Sequence, residues 1–364
     1  MSYKDLSPEH KKRLYSVVAY ILGVGILFLG LCTFSLVSER YEAVYAWEGY
    51  FQDTDEDYAR VSELSKNAVN VTVGTYVENL REVNLKMSNY RVEMLIWFKW
   101  KGDEQLNPAG NFRVYRGATN RKETVRQLTT EDGEHYQLVR LDTTISQNYQ
   151  TKRFPLESHA LMIYIESEIP VQSMVFEADR EDSGINRYIA VTGYKFRRHD
   201  IGTVSYKYST AHGDPTLEDY VLNSEIVTGL EINRDGLGIY FKCFIALMGT
   251  LLWTLIIFYL NVYHRFDPVS MIPGVLFGAV ANIMVGASLL PDALDMGLLE
   301  YINGWGIYII LSSAIAIINL NRVREVSDDA DAALYMGKLF FRMMVVLCLV
   351  GNFIFPVTAY LWNI

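Results

Sequence analysis

The stretch Gly238–Tyr263, GIYFKCFIALMGTLLWTLIIFYLNVY, has Lys242 as its one charged side chain. A helix of about 20 mostly apolar residues crosses the ~30 Å hydrocarbon core of a bilayer. Because a backbone in lipid must satisfy its own hydrogen bonds, this stretch predicts a membrane-spanning helix. Further apolar stretches of similar length are Leu14–Val37, Met271–Leu290, Ile302–Leu320 and Leu339–Leu361. The sequence therefore predicts a membrane protein with one span near its start and four clustered near its end.

Basic residues fall on one side of the predicted spans. The run Lys11–Arg13 precedes the first span, Arg322 and Arg324 lie between the last two, and the loop Pro291–Tyr301 has no Lys or Arg. Short cytoplasmic loops carry the excess of basic residues, so we expect the N-terminus to be cytoplasmic and the C-terminus to lie outside. The first span is longer than the core of a signal peptide and has no small-residue cleavage site after it, which favours a retained anchor.

The long segment between the first span and the cluster has the pattern of β-strands. Valines alternate with polar residues from Val69 to Val73, and every second residue from Tyr90 to Trp100 is apolar. A period of two is typical of half-buried strands. Further strands are predicted at His135–Ser146, His159–Glu166, Val171–Phe176, Arg187–Tyr194, Thr203–Tyr208 and Tyr220–Leu230. Many short strands with turns between them predict a β-sandwich or barrel, joined to the first span by a helix within Tyr41–Asn67.

The predicted fold class is thus a membrane protein with an extracytoplasmic β-sandwich, a four-helix transmembrane bundle after it and one N-terminal transmembrane helix. Its parts are a cytoplasmic N-terminus (1–13), the first transmembrane helix (14–37), an acidic linker (38–67), the β-sandwich domain (68–237) and the four-helix membrane domain (238–364).

Charge and cysteine usage exclude several classes of protein. The formal net charge of −9 arises within residues 38–237, since basic and acidic residues balance elsewhere. An acidic outer face disfavours nucleic acid as a partner. Cys32, Cys243 and Cys348 lie in apolar spans, where they fit as small buried hydrophobes rather than as metal ligands. No HExxH, Gly-rich phosphate loop or Cys/His cluster occurs, so we expect no enzyme activity, no metal and no cofactor.

Several short motifs follow one another along residues 68–362. They are Val73–Val77 (VGTYV), Trp97–Asp103 (WFKWKGD), Phe154–His159 (FPLESH), Asn233-Arg234 and Leu290-Pro291. With the order of a β domain and four helices, they resemble the pentameric ligand-gated ion channels, also called Cys-loop receptors, of the bacterial type. FPLESH resembles the family's signature loop, Phe-Pro-x-Asp-x-Gln, from which it departs at Glu157 and His159. The loop's cysteine pair is missing, as in bacterial members, and the span Leu14–Val37 is additional.

The resemblance implies a homopentameric, ligand- or proton-gated channel in a bacterial inner membrane, with the β domain and C-terminus in the periplasm. In the family the second of the four final helices lines the pore, and here it is Pro268–Leu290. Five copies of Asp267 would form an acidic ring favouring cations, which Arg265 could oppose, and a ring of Phe277 could close the pore by dewetting. The implied pore-lining residues are Asp267, Ser270, Gly274, Phe277, Ala281, Val285 and Ser288.

Helix packing is the alternative for this stripe. Small residues at helical spacing are typical of contacts between membrane helices. Those that would serve packing equally well are Gly274, Gly278, Ala281 and Gly286. Asn282, a polar residue within the span, is either functional or part of a plain interhelical hydrogen bond.

The resemblance also assigns coupling and ligand-binding residues. The signature loop would touch the loop between the second and third final helices, and Arg234 could pair with Glu157. The coupling residues are Phe154, Pro155, Glu157, Arg234 and Pro291. The candidates for an aromatic ligand site are Trp97, Trp100, Tyr194, Phe196, Tyr206 and Tyr208, although aromatic residues on strands are more often core. The trigger would be a small molecule, such as an amine held by cation–π attraction, or a proton.

Two questions stay open at this level. The runner-up function is a non-conducting, membrane-anchored sensor or accessory protein with an outer β domain. The additional helix Leu14–Val37 either packs outside the four final helices as an anchor in the lipid, or contacts a neighbouring subunit or partner and tunes gating.

Overall fold

The computed structural model describes residues 3–213, 215, 220–290 and 296–361. The chain forms two compact units. The helical unit comprises Met1–Tyr41, Gln150–Glu157 and Gly236–Ile364, and the β unit comprises Glu42–Tyr149 and Ser158–Asp235.

Among the described residues, five helices are long and apolar enough to cross a membrane, which confirms the predicted spans as helices. They are α1 (Pro8–Gly49), α3 (Gly238–His264), α4 (Ile272–Ala287), α5 (Leu298–Val326) and α6 (Ala330–Leu361). Short 3-10 turns, Tyr3–Asp5 and Val269–Met271, precede α1 and α4. The helix α2 (Asp55–Leu64) is polar and begins at Thr54, whose side chain accepts a hydrogen bond from the Asp57 N–H at 3.2 Å.

The first helix extends further than its apolar span. It continues to Gly49 because Ser38–Trp47 contains neither Pro nor Gly and is rich in residues that tolerate helix. The predicted linker therefore contains the end of α1 as well as α2.

In the helical unit, α3, α4, α5 and α6 pack against one another, and α1 contacts α5 and α6. The ring of Phe28 lies 6.0 Å from that of Trp305 and 6.3 Å from that of Phe355. Trp305 is fully buried, whereas only 22% of the most apolar part of α1 is buried. The additional helix thus packs onto α5 and α6, and the choice between its two predicted roles stays a prediction.

The β unit contains two sheets. The first has the strand order β4-β5-β2-β1-β7 with β8 beside β1, and the second has the order β3-β6-β10-β9. The strands are β1 (Val69–Asn84), β2 (Asn89–Lys101), β3 (Phe112–Val114), β4 (Gly117–Thr129), β5 (Glu134–Ser146), β6 (Ser158–Pro170), β7 (Met174–Ala178), β8 (Gly184–Ile185), β9 (Tyr194–Lys207) and β10 (Leu222–Arg234).

Both sheets contribute to one hydrophobic core. Phe98 of β2 packs against Phe112 of β3 and Phe176 of β7, with ring centroids 5.3 and 5.9 Å apart. The hydroxyls of Thr75 and Thr228 are hydrogen-bonded across it at 2.8 Å. The alternation predicted for Tyr90–Trp100 is confirmed, since every second residue is buried.

One predicted strand is wrong. Residues Arg187–Tyr194 form turns, because the Ile189 N–H bonds to the Asn186 carbonyl and Gly193 takes a positive φ of 81°, so that only Tyr194 enters β9. One long strand was missed, since β4 is exposed along nearly its whole length and shows no alternation. An edge strand protected by charged side chains lacks the apolar period on which recognition depends.

A second, smaller cluster covers the other face of the four-stranded sheet. Trp47 in the last turn of α1 and Phe51 just after that helix pack against Met162, Val204 and Val227. The close approach needs glycine in the sheet, because a Cβ on residue 229 would lie 2.5 Å from Phe51 Cζ. The N-terminal segment of the β unit is therefore part of its packing.

Candidate functional sites

The predicted pore stripe lies on the face of α4 that points away from its neighbours in the chain. Ser270, Gly274, Phe277, Val285 and Ser288 are exposed, and Ala281 is half-buried. The side chain of Phe277 is 75% exposed. The predicted stripe therefore does not face the packed interior of the bundle.

The opposite face of α4 carries the packing. Val275 and Ala279 are buried, a Cβ on Gly278 would lie 2.9 Å from Thr250 Oγ1, and one on Gly286 would lie 2.6 Å from Leu299 Cδ2. A Cβ on Gly274 would meet no atom within 4 Å. Of the small residues that the sequence left ambiguous, Gly278 and Gly286 thus serve helix packing and Gly274 does not.

Met284 is a prominent member of the exposed face that sequence reasoning missed. Met284 is 71% exposed and lies seven residues after Phe277. Seven residues of a 3.6-residue helix make nearly two full turns, so both side chains project in almost the same direction. The spacing from Phe277 alone could have identified it.

Asp267, at the start of this region, is held by α5. Its Oδ1 accepts hydrogen bonds from the Val269 N–H at 3.2 Å and from Asn321 Nδ2 at 3.0 Å. Asn321 Oδ1 in turn accepts from Asn261 Nδ2 at 3.0 Å, and Arg324 donates to the Asn261 carbonyl at 3.1 Å. The network fixes the direction of an exposed carboxylate at one end of α4.

Two further polar residues of α4 have ordinary partners. Asn282 is buried and donates to Asn303 Oδ1 at 2.8 Å, and Asn303 donates to the Leu299 carbonyl. This is the interhelical hydrogen bond that was one of its two predicted roles. The Ser288 hydroxyl donates to the Val285 carbonyl at 2.7 Å and stays exposed.

The predicted coupling loop belongs to the helical unit. The segment Gln150–Glu157, here called the coupling segment, lies between strands β5 and β6 in sequence but clusters with the helices. Phe154, Leu156 and Glu157 are almost fully buried, and the Phe154–Pro155 peptide bond is cis. The N–H groups of Phe154 and Leu156 bond to the carbonyls of Thr151 and Arg153 at 2.9 and 2.7 Å. The coupling segment is thus a compact turn.

The coupling segment is docked at the start of α5. The Leu298 N–H donates to the Lys152 carbonyl at 2.6 Å, and a Cβ on Gly297 would lie 2.4 Å from the same oxygen. Glu300 Oε2 accepts from the Gly297 N–H at 2.8 Å and closes the helix end. The residue that contacts the start of α5 is Lys152, which precedes the predicted signature loop. The contact predicted for Phe154–Glu157 itself stays a prediction. Pro291 lies outside the described residues.

Arg234, the fifth predicted coupling residue, lies at the end of β10. Its guanidinium is 4.1 Å from the centre of the Tyr194 ring, a cation–π arrangement within the β unit. Its pairing with Glu157 would join residues of different units and stays a prediction.

Three of the predicted ligand-site aromatics are buried in the β unit. Trp97 donates to Asp179 Oδ2 and Trp100 donates to the Asp103 carbonyl, each at 2.9 Å. Tyr194 lies at the edge of the main core. Their faces are occupied by packing within the chain. Phe196, Tyr206 and Tyr208 remain at least partly exposed.

Tyr206 and Tyr208 belong to a polar cluster that the sequence did not reveal. Glu166 of β6 is fully buried and accepts hydrogen bonds from Arg113 Nε at 2.9 Å, the Tyr208 hydroxyl at 2.6 Å and Asn223 Nδ2 at 2.9 Å. Tyr206 packs beside Tyr208, with ring centroids 4.7 Å apart. A charged residue inside a predicted strand was the available signal, but its donors come from other strands.

A second carboxyl lies directly across from Glu166. Glu225 of β10 is its partner in the strand register and is 3% exposed. Burial, with a smaller contribution from the charge of Glu166, raises the pKa of Glu225 to about 8, while Arg113 opposes the rise. Burial and the neighbouring carboxylate thus both disfavour a charge on Glu225.

A cavity of about 230 Å³ lies in the same unit. Its lining includes Tyr50, Tyr115, Arg116, Gln147 and Tyr164. It could hold a small molecule next to aromatic faces. Among the residues whose placement is described, no group of three or more His, Cys, Asp or Glu side chains could hold a metal ion.

Replacing Glu225 by Gln is expected to make the stability of the protein less dependent on pH. With a pKa of about 8 in the folded protein and its ordinary value when unfolded, Glu225 favours the folded state most at low pH. That stabilising contribution falls as the pH rises towards 8. Over this range Glu225 has lost its proton in the unfolded state but still holds it in the folded state, so a rising pH favours unfolding. The wild type should therefore lose a few kcal/mol between pH 5 and 8, at about 1.4 kcal/mol per pKa unit.

Thermal unfolding of the full-length protein in detergent, followed by tryptophan fluorescence from pH 5 to 9, measures this effect. Glu225→Gln should raise Tm at pH 8 and leave it nearly unchanged at pH 5. Glu104→Gln, at an exposed position in the same unit, is the matched control. Parallel pH profiles for wild type and Glu225→Gln would contradict the assignment.

No protein-family model matches the chain, and no curated protein matches it.

Proposed function

We propose that this chain is one subunit of a homopentameric, ligand- or proton-gated ion channel whose pore is lined by residues 268–290. The observation that carries the proposal is the outward stripe of α4. Phe277 and Met284 project from the bundle together with Ser270 and Ser288, while the packing glycines face inward. In the proposed channel that face meets the same face of four other copies.

Rings of these side chains would give the pore its properties. Five Asp267 carboxylates would raise the local concentration of cations at one mouth. The Phe277 ring would close the pore by excluding water, and opening would require it to widen. Serine hydroxyls near both ends suit ions that keep part of their hydration shell. The two serine hydroxyls are solvated better by water than by hydrocarbon, which favours a water-filled lining over a lipid-facing surface for this face of the helix.

The remaining parts fit the same function. We take the two sheets with their shared core as a β-sandwich outside the membrane, which would receive the trigger. The coupling segment, docked on α5 through Lys152, would transmit the change to the helices. The basic residues near the first span and before α6 support a topology with the N-terminus in the cytoplasm and the β unit and C-terminus in the periplasm. The exposed aromatics Tyr206 and Tyr208 and the buried pair Glu166 and Glu225 are the candidates for ligand or proton sensing.

Replacing Asp267 by Asn is expected to reduce the preference for cations several-fold, because it removes five charges from one mouth of the proposed pore. The protein is reconstituted in liposomes, and sodium and chloride permeabilities are compared by reversal potential in planar bilayers. Glu325→Gln, an exposed carboxylate near the end of α5, is the matched control and should leave the ratio unchanged. Equal selectivity for Asp267→Asn and wild type would remove Asp267 from the pore.

The oligomeric state is a separate test. Native mass spectrometry in detergent should give five copies. A monomer or dimer that shows no flux between pH 4 and 8 would support the alternative, a membrane-anchored sensor or accessory protein without a pore.

A further inference from the structure

One face of α1 is anchored to the helical unit at three levels. Phe28 packs against Trp305, and Ser35 Oγ accepts a hydrogen bond from the Tyr301 hydroxyl at 2.9 Å. Glu39 follows four residues after Ser35. The spacings of seven and four residues put all three on the same side of the helix. The contacts to α5 therefore fix the position of Glu39.

Glu39 meets the coupling segment. Its Oε2 lies 3.7 Å from Arg153 Nε, and Glu39 and Arg153 are only 8% and 3% exposed. Both residues belong to the helical unit. Breaking an exposed ion pair changes stability little, but breaking a buried one costs much more. Removing one partner of a buried pair leaves the other charge uncompensated in a poorly solvated site.

Arg153 lies in the turn of the coupling segment and forms one of its backbone hydrogen bonds. Its carbonyl accepts the Leu156 N–H at 2.7 Å, and the preceding residue, Lys152, accepts the Leu298 N–H of α5. Phe154 and Glu157, two of the predicted coupling residues, follow within four positions and are buried. Displacing the Arg153 side chain would therefore disturb both the turn and its docking on α5.

We propose that α1 is a positioning element for the coupling segment, and that it acts through the buried Glu39–Arg153 ion pair. The helix would then do more than anchor the N-terminus, because it would hold residues 151–156 in place against the start of α5. The consequence for gating rests on the proposed channel function. The positioning role itself does not, and it can be measured without any ion flux.

Hydrogen exchange of the full-length protein in lipid nanodiscs tests the positioning role. The reporters are the amides of Phe154, Leu156 and Leu298, whose hydrogen bonds depend on the turn and its docking. Glu39→Gln and Arg153→Gln should each speed their exchange by roughly tenfold or more, because each breaks the buried ion pair between α1 and the coupling segment. Glu9→Gln, the same change at an exposed position of the same helix, is the matched control and should have no effect.

The charge-swapped double variant, Glu39→Arg with Arg153→Glu, keeps the proposal testable if a single variant folds poorly. It restores opposite charges at the same two positions and should slow the reporter amides again. Hydrogen exchange at the wild-type rate in Glu39→Gln would overturn the proposal. So would reporter amides that are no better protected in the charge-swapped double variant than in the single variants.

Sodium flux in liposomes, triggered by steps from pH 8 to pH 5, separates the positioning role of α1 from its effect on gating. If the wild type conducts, Glu39→Gln should shift the pH of half-maximal flux. Faster exchange with an unchanged flux response would overturn a role for α1 in gating. If the wild type does not conduct after the pH step, proton gating fails on its own, and the exchange data still decide the positioning role.

Discussion

Replacing Phe277 by alanine is expected to raise the unstimulated cation flux by roughly tenfold or more. The ring is 75% exposed on the outward face of α4. In a pentamer, five such rings would narrow the pore and exclude water, and their truncation would widen and wet it. A tenfold change corresponds to a barrier lowered by about 1.4 kcal/mol, a small demand on five phenyl groups.

Sodium uptake into liposomes at pH 8, with no trigger applied, measures the unstimulated flux. Phe353→Ala is the matched control, since Phe353 is 68% exposed but lies on α6. It makes the same chemical change away from the proposed pore and should leave the flux unchanged. An assembled Phe277→Ala protein with wild-type flux would remove Phe277 from the pore, and equal leakage in both variants would indicate general destabilisation of the bundle.

Replacing Gly297 by alanine is expected to undock the coupling segment from α5. The added Cβ would lie 2.4 Å from the Lys152 carbonyl oxygen and 2.7 Å from its Cα. These are backbone atoms, so no side-chain rotation relieves the overlap, and such overpacking costs about 1–3 kcal/mol. The φ of −134° at Gly297 itself suits any residue, which leaves the collision as the cause. The Leu298 amide should exchange roughly tenfold faster, and the flux response to a trigger should be lost.

Hydrogen exchange reports the undocking, and triggered flux reports its effect on the channel. Gly23→Ala is the matched control, because a Cβ there meets no atom within 4 Å and the helix gains from alanine. Unchanged protection of the Leu298 amide in Gly297→Ala would show that the start of α5 does not depend on this contact.

Local sequence patterns were sufficient for most of the elements. The apolar spans and the strand Asn89–Lys101 are confirmed because each carries its own period, and that period follows from covalent geometry. The failures lie where the period is absent or interrupted. The exposed strand β4 has no apolar face, and residues 187–193 carry apolar side chains but turn at Gly193.

The candidate sites were less accessible to sequence reasoning. The stripe on α4 could be written down from helical spacing, but spacing does not say which side of a helix packs inward. That side is set by Thr250 and Leu299 on other helices, which leave room only for glycine. Met284 and the burial of Trp97 and Trp100 likewise became visible only with their neighbours in place.

The sequence by itself determined the apolar helices of membrane-spanning length, five of them among the described residues, and the large, acidic, strand-rich segment, since hydropathy and period are properties of consecutive residues. The tertiary structure decided which face of α4 is open, that residues 150–157 pack with the helices, and that Glu39 meets Arg153 and Glu225 faces Glu166. Such pairs join residues far apart in the chain. Their partners are selected by the packing of whole elements, which no local pattern encodes.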